Sequence, residues 1–189
     1  MTKQIWQPGN MLYPLPAVMV SVGDKTDNTN ILTVAWTGTI CSDPAMLYIS
    51  VRPERYSYHM LQETKEFVVN LTTEQLVKAT DYCGVKSGRD VDKWKETGLT
   101  KGEASELSYA PIIMESPVNI ECKVTEVKEL GTHHMFLAEV AAVQVSDEYM
   151  NENNKFELNS TGLLAYSHGE YLGLGKSLGT FGYTIRKKK

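Results

Sequence analysis

Apolar and polar positions along the first two-thirds of the chain follow the short-range pattern of β-strands. Residues 17–23 are an apolar run closed by Gly23, which predicts a buried strand. A turn rich in Asp, Asn and Thr occupies 24–30, and the β-branched and aromatic stretch 31–38 predicts a second strand. Ser42, Asp43 and Pro44 break the chain, and 46–51 predicts a third strand, stopped by Arg52 and Pro53.

A short helix is predicted over 56–63 and a strand over 66–71. The triplet Thr72, Thr73 and Glu74 predicts a capped helix reaching about Tyr82, because a threonine hydroxyl can accept from the free amides of a first turn. Residues 84–98 are a polar, glycine-punctuated excursion with a helical middle at 91–96. The long runs 118–129 and 134–145, joined by 130–133, predict a hairpin. Residues 162–166 predict a further strand before a glycine-rich end. Many short strands, few helices and no regular strand–helix alternation predict a barrel rather than a doubly wound parallel sheet. Neither a linker nor a repeat interrupts the pattern, so 1–189 reads as one domain.

Composition narrows the function classes. The chain is 42% hydrophobic and 22% charged, with a net charge of −4, the profile of a soluble protein able to bury a core. That charge argues against a nucleic-acid binder, which needs a basic field. No stretch approaches the roughly 20 apolar residues of a membrane span, and the first residues lack the apolar run of a signal peptide. A cytoplasmic location is expected. Cys41, Cys83 and Cys122 are widely spaced and form no CxxC pair, which fits thiols in a reducing compartment. The basic end, 186–189, reads as a solvated tail.

Several tempting motifs fail on spacing. Residues 173–177, GLGKS, imitate the end of a P-loop, but Glu170 stands where its first glycine belongs. His133 and His134 are consecutive on a predicted strand and point to opposite faces, so no metal site is expected. A GxSxG nucleophile elbow is missing as well.

Three segments carry more chemistry than packing requires. Residues 30–39 place hydroxyls and an indole on a strand; 50–58 gather two arginines, hydroxyls and phenols at a strand end; 83–94 are polar, basic and glycine-containing. Arginines and hydroxyls suit a phosphate, and a flat polar-edged slot suits a planar ring. On residue chemistry alone, a phosphorylated ligand competes with a solvated loop bearing surface charges.

The runs NILTVAWTGTICSDP at 30–44 and ISVRPERYSY at 49–58 resemble the core signature of the flavin reductase-like, FMN-binding split-barrel family. DYCGVKSGRDVDKW at 81–94 resembles the third motif of its flavoredoxin-like branch. The similarity continues through SPVNIEC at 116–122, GTHHMFLAEV at 131–140 and LGTFGY at 178–183. It implies a mainly β, Greek-key split barrel with short helices, a homodimer, and FMN near the subunit interface. Carried over by position, it implies that Asn30, Thr33, Ala35, Trp36 and Thr37 lie along the ring and ribityl chain. Ser50, Val51, Arg52 and Pro53 would form the opposite wall, with Arg55, Tyr56, Ser57, Ser87, Gly88 and Lys93 at the phosphate end.

His133 matches a family histidine on the nicotinamide side of the flavin, although Thr132 stands where relatives often carry aspartate. A role as cap of the hairpin turn remains equally open for it. The implied function is an FMN-dependent oxidoreductase of the flavin or ferric reductase kind, with NADH or NADPH as electron donor. The alternative is a flavoredoxin-like electron carrier, in which a redox protein replaces the nicotinamide.

Overall fold

A computed structural model describes residues 1–186; Lys187, Lys188 and Lys189, most of the expected basic tail, lie outside them. In chain order the strands are β1 (Leu15–Pro16), β2 (Val18–Gly23), β3 (Thr29–Val34), β4 (Thr37–Ser42) and β5 (Ala45–Val51). Helix α1 (Tyr58–Thr64), strand β6 (Glu66–Leu71), and helices α2 (Val77–Val85) and α3 (Lys93–Thr97) follow. The rest comprises β7 (Lys101–Gly102), β8 (Ile112–Ile113), the long strands β9 (Val118–Leu130) and β10 (His133–Val145), β11 (Leu164–Ser167) and β12 (Glu170–Gly173).

Seven strands form one sheet in the order β3-β2-β6-β9-β10-β5-β4, with every neighbouring pair antiparallel. Alternation along β2 explains how the sheet is covered. Val18, Val20 and Val22 enter a core shared with Ile49, Phe67, Cys122 and Phe136 from four other strands, and Met60 and Leu61 of α1 join it. On the opposite face Met19 packs with Ile31, Leu76, Cys83 and Trp94, beneath α2 and α3. The sheet therefore wraps one core while two helices shield its outer face at β2 and β3. A smaller sheet, β1-β11-β12, shares no ladder with it.

The predicted strands at 17–23, 46–51 and 66–71, the helix at 56–63 and the 118–145 hairpin all appear within a few residues of their expected bounds. Two expectations are corrected. The stretch 31–38 is not one strand: β3 ends at Val34, and Ala35 and Trp36 break the ladder before β4 begins. At the break the Thr37 amide donates to the Ala35 carbonyl (3.1 Å) and the Ser50 amide to the Trp36 carbonyl (2.8 Å). Thr73 does not cap a helix through its side chain; a 3-10 turn, Glu74–Leu76, leads into α2, and Thr73 instead bridges to Leu163. The side-chain cap in this region is Asp92, whose carboxylate accepts from the amides of Trp94 (3.0 Å) and Lys95 (3.3 Å) at the start of α3.

Two buried or half-buried carboxylates hold the irregular segment between β7 and β8. Glu121 accepts from the Ser105 amide (2.9 Å), the Ser105 hydroxyl (2.9 Å), the Glu106 amide (2.7 Å) and the Gln144 amide group (2.9 Å). Glu66 on the neighbouring strand accepts from the amides of Ser108 and Tyr109, both at 2.9 Å. No helix among the described residues is long and apolar enough to cross a membrane.

Candidate functional site

The break at Ala35 and Trp36 opens into a cleft of about 720 Å³. Thr33, Ala35 and Trp36 form one wall, and Ser50, Val51 and Arg52, at the end of β5, form another. His133, from the β9–β10 turn, closes a third side. Its ring stacks on Trp36 with centroids 5.9 Å apart and planes 21° apart, and its Nδ1 lies 3.0 Å from the Thr132 hydroxyl. Burial, and after it the positive charge of Arg52, holds the His133 imidazole below its usual pKa despite the opposing pull of Glu54. The shift favours the neutral ring.

A second cleft of about 520 Å³ adjoins the first and shares Leu32, Arg52, Arg55 and Val85 with it. Its lining carries Arg52, Arg55, Lys86, Arg89 and Lys93 against the single carboxylate of Glu54. Among the described residues none of these cations is paired with a carboxylate. Ser57, Ser87 and Asn30 add small polar groups, and Asn30 donates to the Ser57 hydroxyl at 2.8 Å. Arg55 anchors one N–H on the Gly84 carbonyl (3.1 Å), and Arg89 donates to the Glu54 carbonyl (3.1 Å) while lying over the Tyr56 ring.

Gly88 is the position where this cleft tolerates no side chain. A Cβ there would fall 2.5 Å from a Tyr56 ring carbon and 2.6 Å from the Asn30 side-chain oxygen. Lys93 is almost fully buried, and its ammonium donates to the carbonyls of Ile31 and Cys83, both at 2.7 Å. Burial pulls its pKa down to about 8. It ties α3 to β3 and α2 and leaves one N–H free.

Of the residues expected at the site, these two clefts gather all but Thr37 and Pro53. The Thr37 hydroxyl turns into the sheet and donates to the Tyr48 carbonyl at 2.6 Å. Residues not foreseen include Arg89, which sits inside the 81–94 motif, and Tyr166 and Tyr171 from β11 and β12. Tyr171 donates to Asp81 (3.3 Å), and burial together with that carboxylate pushes its phenol up to about 12.

Residues 11–175 match the family described as flavin reductase like domain. The chain belongs to that family. Flavoredoxin of Desulfovibrio vulgaris (Miyazaki F) superposes with a TM-score of 0.89 at 26% identity, covering 98% of this chain and 100% of its own. Flavoredoxin from Methanosarcina acetivorans gives a TM-score of 0.87 at 27% identity, with 97% of both chains covered. An uncharacterized protein of Archaeoglobus fulgidus is 28% identical over 84% of this chain and 87% of its own. The mainly β split barrel that the sequence suggested is the fold this flavin reductase-like protein shares with its flavoredoxin neighbours.

Proposed function

We propose that this flavin reductase-like chain holds FMN across the two joined clefts and works as an NAD(P)H-dependent oxidoreductase of the flavin or ferric reductase kind. One observation carries the reading: an unpaired group of cations and hydroxyls sits at one end of a continuous groove, and a strand break with aromatic and amide walls at the other. A phosphate fits the first end, where arginine forks and serine hydroxyls donate. Gly88 lets the backbone pass against Tyr56 and Asn30 there, where any side chain would clash. A flat ring fits the second end, between Ala35–Trp36 and Ser50–Arg52.

FMN, when bound, supplies the redox chemistry; the chain supplies position and electrostatics. Arg55, Ser57, Ser87 and Arg89 would hold the phosphate. Arg52 and Arg55 border both clefts, so their charge reaches the ring slot and favours the more negative, reduced cofactor. His133, its neutral form favoured by burial, would offer a hydrogen bond to whatever docks on the open side of the slot. We take the working form to be a cytoplasmic homodimer, because Trp6, Leu12, Leu178 and Phe181 at the two chain ends are exposed large apolar side chains that a partner could cover.

A second reading has its own support. The high likeness to two flavoredoxins and the threonine at 132 favour an electron carrier that takes electrons from a protein. The test is an anaerobic absorbance titration of FMN-loaded protein with NADH and then NADPH. Bleaching by either nucleotide establishes the reductase. A flavin that responds only to dithionite establishes the carrier, and a chain that takes up no FMN overturns both.

A further inference from the structure

The first cleft carries both signs of charge without pairing them. Arg52 and Arg55 border it, and Asp81 of α2 is the one carboxylate in its lining. Among the described residues no lysine, arginine or histidine pairs with Asp81. Arg55 reaches α2 only three residues along, where it donates to the Gly84 carbonyl at 3.1 Å. What holds Asp81 instead is a neutral donor, the Tyr171 phenol at 3.3 Å.

Two tyrosines complete this corner of the cleft. Tyr166 and Tyr171 are directly opposed across the β11–β12 hairpin, so their side chains share one face of it. Their ring centroids lie 5.7 Å apart with planes tilted by 58°, and Tyr13 packs on Tyr166 at 6.2 Å. Both hairpin tyrosines line the cleft together with Asp81. With its hydrogen committed to Asp81, the Tyr171 oxygen can only accept, and each ring carries a negative π face.

That chemistry selects among ligands. An anion meets the carboxylate and the ring faces unfavourably. A neutral apolar molecule would strip water from Asp81 and bring no counter-charge. A metal ion finds too few ligands, because no group of three His, Cys, Asp or Glu among the described residues could hold one. A flat organic cation meets both demands, offering charge to the carboxylate and a cation–π contact to the tyrosines.

We infer that the corner formed by Asp81, Tyr166 and Tyr171 is a binding site for flat, fused-ring organic cations. Such a cation would lie in the same cleft as the ring slot and so meet the flavin. That role rests on the FMN placement proposed above, whereas the binding itself does not.

Calorimetric titration of the flavin-free and the FMN-loaded chain with N-methylphenazinium, and with phenazine as its uncharged counterpart, tests the inference. The cation should bind about tenfold more tightly than phenazine. Asp81→Asn keeps an acceptor for Tyr171 and loses the charge; it should erase most of that preference while phenazine affinity stays put. Tyr166→Leu should weaken the cation about five- to tenfold and phenazine less. Equal affinities for cation and phenazine, or a cation affinity untouched by Asp81→Asn, would mean that the Tyr171–Asp81 contact merely ties β12 to α2, and the inference fails. A flavin-free chain that prefers the cation in this way but takes up no FMN would uphold the site and sink the proposed function instead.

Discussion

Trp36 and His133 stack with ring centroids 5.9 Å apart although 96 intervening residues separate them in the chain. Trp36 sits in the break between β3 and β4, and His133 opens β10, so their contact joins the slot wall to the hairpin turn. Burial and the Arg52 charge both disfavour the imidazolium, so NMR titration should place the His133 pKa below 6.5. Arg52→Ala should move it upward. Because the unfolded chain takes the proton first, acidification below 6.5 should cost stability through this residue, and His133→Gln should remove that cost. A histidine titrating at its ordinary value in both proteins would refute the electrostatic account of the slot.

Arg55→Ala should weaken FMN binding by about 1–3 kcal/mol, the scale of a charge-assisted hydrogen bond. Flavin fluorescence quenching measures it directly. Unchanged affinity would remove Arg55 from the phosphate end.

Gly88→Ala should cost FMN affinity tenfold or more, because the new methyl would displace Tyr56 and Asn30 by the amounts that a 2.5–2.6 Å clash demands. Equal losses in a distant exposed glycine variant, such as Gly175→Ala, would show that the effect is not local.

Much of this site could be read from the sequence because its pieces cluster in three short segments, 30–36, 50–57 and 87–93, each at a strand end or in a loop. The hairpin could be read because 118–145 alternates over two long runs. The break at Ala35 and Trp36 could not, since both belong to a run of strand-forming residues and only the pairing of Trp36 with Ser50 interrupts it. That Thr73 forms no cap is likewise invisible to local spacing: both threonines are buried, and Thr72 spends its hydroxyl on the Ala17 carbonyl. Tyr166 and Tyr171 reach the cleft from more than 80 residues beyond α2, a juxtaposition that no local spacing announces.

Lys93 predicts a pH-dependent stability. Its folded pKa of about 8 lies below the ordinary 10.5, so the unfolded chain binds more protons above pH 8 and stability should rise there. Above 9 the buried Cys83 thiol, raised to about 11, opposes the trend, because the unfolded thiol ionises first. Denaturant unfolding between pH 7 and 9 should show a rise that Lys93→Met abolishes. An identical slope in both proteins would mean that the ammonium is not desolvated.

Glu121→Gln should destabilise the chain by about 1–3 kcal/mol, since a carboxylate accepting from two backbone amides is replaced by a weaker acceptor. Burial pushes the Glu121 pKa up, but its hydrogen bonds outweigh burial and hold it below the ordinary value. Its contribution is therefore full above the unfolded value and is lost as pH falls through the folded one. Hydrogen exchange at the Ser105 and Glu106 amides should accelerate in the variant; retained protection would show that the segment is held by other contacts.

The order of the large sheet puts β3 and β4, adjacent in the chain, at its two opposite ends, so the groove lies on the seam where the wrapped sheet begins and finishes. A molecule bound there touches β3 at one end of the sheet and β5, the neighbour of the strand at the other end, and acts as a clasp. Occupancy should then delay the parting of the seam and raise stability by an amount set by ligand concentration over its dissociation constant.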